Sequence, residues 1–205
     1  LTNEGDTLMA ATEAPRHEPF ALFVGIISSD PGMLSPLLEG LALLHSSPSV
    51  EQLGAVVLDN GSPEPGLREV VERSRQAGLQ VAVVSEVQQR RDAAAGAFGS
   101  SFRTRPDGQV GIAQARTMLQ RYVGALLGKV PGSFGWILDD DMRVDDRAWT
   151  YLPWLPAFRD SGVDVLIGHY EGSSPNPPLN GLRVHLVDLL HNLIWLRNLP
   201  IDTVL

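Results

Sequence analysis

Apolar residues in this chain form two alternating patterns: short unbroken runs, and longer stretches in which they recur every three or four positions. The run Ala21-Leu22-Phe23-Val24-Gly25-Ile26-Ile27 has no polar alternation, which predicts a strand covered on both faces of a parallel sheet. Leu34, Leu37, Leu38, Leu41 and Leu44 then mark one stripe of a helix over residues 33–44, closed by Ser46-Ser47-Pro48. The unit repeats. Residues 53–58 predict a second strand, Asp59-Asn60-Gly61-Ser62-Pro63 a turn, residues 67–77 a helix ending at Gly78, and residues 79–84 a third strand.

Residues 88–111 lose all periodicity and are rich in Gly, Ser, Arg and Ala, the pattern of a long loop that is either functional or disordered. A helix over residues 112–127 follows, then an apolar strand delivering Asp139, Asp140 and Asp141, then a helix near residues 149–158. Val163-Asp164-Val165-Leu166-Ile167 reads as a fifth strand. Strands alternating with helices predict an α/β fold, a mostly parallel sheet flanked by helices.

The ends differ from this body. Residues 1–19 are polar, contain Pro15 and Pro19, and predict a flexible leader. Residues 172–178 are rich in Pro and Gly, and Leu182, Leu186, Leu189, Leu190, Leu193 and Ile194 form a broad stripe on a helix over residues 182–196. Such a stripe is most often core. If exposed, it implies an oligomer or a missing domain, and the segment reads as a lid or a partner-facing element. The expected division is therefore a leader (1–19), an α/β domain (20–171), and a loop with a C-terminal helical extension (172–205). A chain that starts at Leu1 and stops at Leu205 without a terminating signal is expected to be part of a longer protein.

Composition narrows the chemistry. A net charge of −8 with no basic run argues against nucleic-acid and anionic-membrane binding, since both require Lys and Arg to neutralise phosphate. With no Cys, any metal must be held by oxygen or nitrogen. No apolar segment is long enough for a membrane span and no signal sequence opens the chain, so a cytoplasmic location is expected.

Three predicted strand ends carry polar groups at one sheet edge: Ser28 to Asp30, Asp59 with Asn60, and Asp139 to Asp141. Consecutive carboxylates repel unless a cation sits among them, and a hard ion such as Mg²⁺ or Mn²⁺ commonly completes its shell with substrate phosphates. Taken alone, the acidic run also suits a charged strand end or helix cap, and Asp59-Asn60-Gly61-Ser62 an ordinary turn. Arg116 sits on a predicted helix, available to a phosphate or to solvent. Arg103 and Arg105 lie in the long loop, where solvation is the simpler reading and closure over a diphosphate the alternative. His185 and Asp188 share a helix face.

These motifs resemble the nucleotide-sugar-dependent glycosyltransferases of the GT-A fold, especially the large inverting group called family 2, over about residues 20–171. Val56-Val57-Leu58-Asp59-Asn60-Gly61-Ser62 is similar to that family's strand ending in Asp-Asp/Asn-Gly-Ser. Ala115-Arg116-Thr117 is similar to its Ala-Arg-Asn, and Ile137-Leu138-Asp139-Asp140-Asp141 to its Leu-Asp-x-Asp. The three occur in the family's order and spacing. Ile27-Ser28-Ser29 and Thr117 depart from the pattern.

The resemblance implies a Rossmann-like nucleotide-diphospho-sugar transferase fold. It also implies a donor site formed by Asp59 toward the base, Arg116, Asp139 beside the ribose and the metal, and Asp140, with Asp139 and Asp141 on Mn²⁺ or Mg²⁺. The implied partners are a UDP- or GDP-sugar and an acceptor hydroxyl on a saccharide, lipid or protein, with residues 172–205 the start of an incomplete acceptor side. No residue matches the family's catalytic base. The rival readings are a sugar-phosphate nucleotidyltransferase, whose Gly-rich phosphate loop is missing from residues 25–33, and a non-catalytic nucleotide-sugar-binding module.

Overall fold

The computed structural model describes residues 17–99, 110–145 and 147–168, with a further set of helical residues between 186 and 197. The chain divides into two compact units, Leu1–Asp164 and Val165–Leu205. In the first, four strands form one sheet: β1 (Phe20–Ser28), β2 (Val50–Asp59), β3 (Gln80–Val84) and β4 (Phe134–Asp139). Every pairing is parallel, and the order across the sheet is β3-β2-β1-β4. The α/β architecture expected from the sequence is present.

All nine residues of β1 are buried, because the strand lies between two others and under helices on both sides. On one face, Leu22, Val24 and Ile26 pack with α1 (Pro31–Leu44) and α2 (Glu64–Gln76). Leu34, Leu37, Leu38 and Leu41 of α1 are wholly enclosed there, the stripe that the sequence spacing predicted. On the other face, Ala21, Phe23 and Ile27 pack against Ala115, Met118, Leu119 and Val123 of α4 (Ile112–Leu127). Crossovers toward β3 thus place helices on one face. The crossover returning past β1 to β4 places α4 on the opposite face, as right-handed connections require.

Two expectations are corrected. The segment read as loop from residue 88 contains α3 (Glu86–Ala94), which is mostly polar, leaves Val87 exposed and buries only Gln89. With no apolar stripe there was no period to detect. The available signal was the cap: Ser85 followed by Gln88 is a capping-box pattern, and the Ser85 hydroxyl accepts from the Gln88 amide at 3.3 Å. Residues 163–167, read as a fifth strand, pair with no neighbour among the described residues and are not assigned as a strand. Apolar content alone does not make a strand, since the backbone groups of an extended segment need a ladder partner.

The helix expected near 149–158 is a broken series: α5 (Ala148–Tyr151), a 3₁₀ turn (Leu152–Trp154) and α6 (Leu155–Asp160), with Pro153 and Pro156 just inside the second and third pieces. In the second unit, Leu186, Val187, Leu189, Leu190, Leu193 and Ile194 are helical and exposed. Most of residues 1–19, the loop bearing Arg103 and Arg105, and His185 and Asp188 lie outside the described residues. Among the described residues, no helix is long and apolar enough to cross a membrane.

Candidate functional site

Register brings the three predicted strand ends together. Ser28 pairs with Asp59 across β1 and β2, and Ile27 pairs with Asp139 across β1 and β4. The chain reverses its direction of travel across the sheet between β1 and β4, and open α/β sheets bind ligands outside the carboxyl ends of the strands at such a point. A cleft of about 280 Å³ lies there, lined by Ile27, Ser29, Asn60, Ile112, Arg116 and Asp139 to Asp141. A larger recess of about 520 Å³ opens over β2 and β3, but its charged side chain, Arg75, already donates to the Val81 carbonyl at 2.7 and 3.1 Å.

Arg116 projects from the second turn of α4 and meets Asp139, 23 positions away in sequence. Its Nη2 donates to Oδ1 at 3.0 Å and to Oδ2 at 3.1 Å. The two side chains are 51% and 42% exposed, and ion pairs so solvated contribute about 0–1 kcal/mol. Ala115, the residue before Arg116, is fully buried against the sheet and fixes the helix face from which the guanidinium emerges.

The acidic run turns sharply after β4. The Met142 amide donates to the Asp139 carbonyl at 3.2 Å. Arg143 binds the carbonyls of Met142, at 2.6 Å, and Met33, at 3.5 Å, so the turn is tied to the start of α1. Asp140 and Asp141, held at this turn, border the cleft without a hydrogen-bond or ion-pair partner among the described residues.

Other predicted carboxylates serve the local backbone. Asp30 caps α1, its Oδ1 accepting from the Gly32 amide at 2.8 Å. Asp59 Oδ1 accepts from the Ser62 amide at 2.9 Å and closes the turn in which Gly61 takes a φ of 97°. The same turn is pinned to β1, because the Ser28 carbonyl accepts from the Asn60 amide at 2.8 Å and from the Ser62 hydroxyl at 3.2 Å. Asp59 therefore stands at the adjoining strand end, while Asn60 lines the cleft. The Oδ1 of Asn60 is buried and unpartnered, leaving an acceptor for a donor group that the described protein does not supply.

The entrance also holds the amino end of α4. Gly111 occupies the cap position and offers no side-chain acceptor, so among the described residues the first-turn amides beginning at Ile112 keep their donors and their share of the helix dipole. An anion is the natural complement of such an end.

Among the described residues, no three acidic or imidazole groups converge as a complete metal cage. The donors present are nevertheless hard carboxylate oxygens. Mg²⁺ and Mn²⁺ accept one or two of these when phosphate oxygens and water complete the shell, so the chemistry fits an ion carried with a phosphate ligand. The sequence placed Ser29 and Asn60 among the polar groups at this edge without giving them a role, and it did not single out Ile112 as a site residue.

No family model, curated protein or solved structure matches this chain.

Proposed function

We propose that this chain is the donor-binding part of a metal-assisted glycosyltransferase that moves a sugar from a nucleoside-diphosphate sugar to an acceptor hydroxyl, with inversion at the anomeric carbon. One observation carries the reading: a guanidinium, an uncapped helix end and three consecutive carboxylates share one cleft at the sheet's switch point. The resemblance of the strand-end motifs to family 2 glycosyltransferases supports the same reading.

In this proposal Arg116 and the first-turn amides of α4 bind the diphosphate, and Asp139 and Asp141 hold Mn²⁺ or Mg²⁺. Asp139 also lies toward the ribose with Asp140 beside it in the donor site, and the Asp59–Asn60 strand end lies toward the base. The cation supplies neutralisation of the charge that builds on the departing diphosphate. Arg116 adds fixed positive charge to the same oxygens, and because it sits on a helix anchored by Ala115, Met118 and Leu119 it need not reorganise during the reaction.

A second reading has its own observation. Among the described residues, all carboxylates lining the cleft belong to the 139–141 run, and none of them is an independent acid placed as general base for the acceptor. A non-catalytic nucleotide-sugar-binding module would have this composition. Calorimetry with UDP, GDP and their sugars, with and without Mn²⁺, combined with an assay for sugar-nucleotide hydrolysis, separates the cases. Mn²⁺-dependent binding with slow hydrolysis is expected. Binding without hydrolysis selects the module, triphosphate preference with pyrophosphate release selects nucleotidyl transfer, and no binding of any nucleotide overturns the proposal.

A further inference from the structure

Arg116 meets Asp139 with one nitrogen. Nη2 is shared between the two carboxylate oxygens at 3.0 and 3.1 Å, so the paired fork that arginine forms with a carboxylate at its strongest is not made. Its Nε and Nη1 donate to nothing among the described residues. The pair is half exposed, a setting in which partners exchange readily. Beside it stand Asp140 and Asp141, and one turn away the first-turn amides of α4, none of them with a side-chain partner among the described residues. Groups that attract anions are thus interleaved with groups that attract cations, and at Arg116–Asp139 the two sets quench each other.

We infer that Arg116 is an exchange residue: it neutralises Asp139 in the free protein and passes to phosphate oxygens when a nucleoside diphosphate arrives with its divalent cation, which releases Asp139 to that cation. This rests on the donor-site reading above. The consequence is selection for a ligand of mixed charge. A cation alone must compete with the guanidinium for Asp139. A diphosphate alone meets three carboxylates. The two together satisfy both sets of groups, so each raises the affinity of the other. Arginine keeps its proton throughout, so the exchange swaps hydrogen-bond acceptors and moves no proton.

The test measures cation binding directly. Mn²⁺ is titrated into wild type and Arg116→Gln without nucleotide, with free ion followed by electron paramagnetic resonance. UDP is then titrated by calorimetry at saturating Mn²⁺. Because Arg116 is half exposed, the variant is expected to fold. Arg116→Gln should bind Mn²⁺ alone about three- to tenfold more tightly, since a competing positive charge has gone. It should bind UDP in the presence of Mn²⁺ about tenfold more weakly, since a charge-assisted phosphate contact is lost. Adding Asp139→Asn to the variant should erase the gain for Mn²⁺ alone, which locates the effect at Asp139. If Arg116→Gln binds Mn²⁺ no better than wild type while wild type binds Mn²⁺ with UDP, the exchange is wrong and the donor site stands. If wild type binds UDP under neither condition, the donor site itself falls and the exchange with it.

Discussion

Gln89 and Asp59 are joined across the sheet edge: the side-chain amide of Gln89, on α3, donates to the main-chain carbonyl of Asp59 at 2.5 Å and to that of Val84 at 2.9 Å. One buried side chain therefore ties the carboxyl ends of β2 and β3 together and steadies the turn that carries Asn60. Gln89→Leu would leave two carbonyls without this donor and should lower stability by about 1–3 kcal/mol in urea denaturation. Nucleotide affinity should fall with it, while Gln89→Met at similar volume should show the same loss, because the amide and not the bulk is what matters.

Gly25 sits where β1 passes beneath α4. A Cβ there would meet Ile137 Cδ1 and Val123 Cγ2 at 2.8 Å each and Leu119 Cγ at 3.0 Å. Gly25→Ala should cost about 1–3 kcal/mol by overpacking, read from the urea midpoint. Since the displaced helix carries Arg116, the variant should also bind Mn²⁺ with UDP more weakly if the cleft is the proposed donor site.

Tyr122 of α4 donates to Asp92 of α3 at 2.7 Å. Its hydroxyl is held well above the ordinary tyrosine range, first by burial and then by the bond to the Asp92 carboxylate. An acid kept protonated by the fold stabilises fully below its unfolded-state value of about 10, and that contribution is lost as pH rises toward the folded value. Urea midpoints taken between about pH 8 and pH 12 should therefore decline from near pH 10 upward. Tyr122→Phe should flatten that decline. Asp92 acts at the other end of the scale: its carboxyl is held below the usual range, first by Gln88 and then by Tyr122, so its contribution is present at neutral pH and lost in acid.

Asp141→Ala should reduce sugar transfer by about two to three powers of ten if Asp141 helps to hold the cation at the leaving group. Stability should move the other way. Removing one of three adjacent, partner-free or weakly paired carboxylates relieves repulsion, so the urea midpoint should rise slightly, with the unfolding free energy up by less than about 1 kcal/mol. Unchanged metal-dependent turnover in this variant would remove Asp141 from the mechanism.

Helices α1 and α4 and strands β1 to β4 were legible because each carries a local pattern, a stripe or an unbroken run, that burial imposes on sequence. Helix α3 was not, since its contribution is one buried amide and not an apolar face. The run 163–167 misled for the opposite reason: it has the composition of a strand but no ladder partner among the described residues. Among the site residues, the sequence grouped Asp59, Arg116 and Asp139 to Asp141 at one edge. It did not separate carboxylates bound to their own backbone, Asp30 and Asp59, from those that border the cleft.

The sequence by itself determined the type of every element that carries an apolar stripe or run in the sheet domain, the parallel sheet and the delivery of three carboxylates to a strand end, because periodicity and the run of Asp are properties of neighbouring residues; α3 and the segment 163–167 lay beyond it. Only the tertiary structure decided that β4 lies against β1 and not beyond β3, which opens a cleft between their ends. It also brought Arg116 onto Asp139 and turned Asn60 into that cleft. Those outcomes depend on crossover direction and strand register, which arise from packing both faces of the sheet at once and are encoded in no single segment.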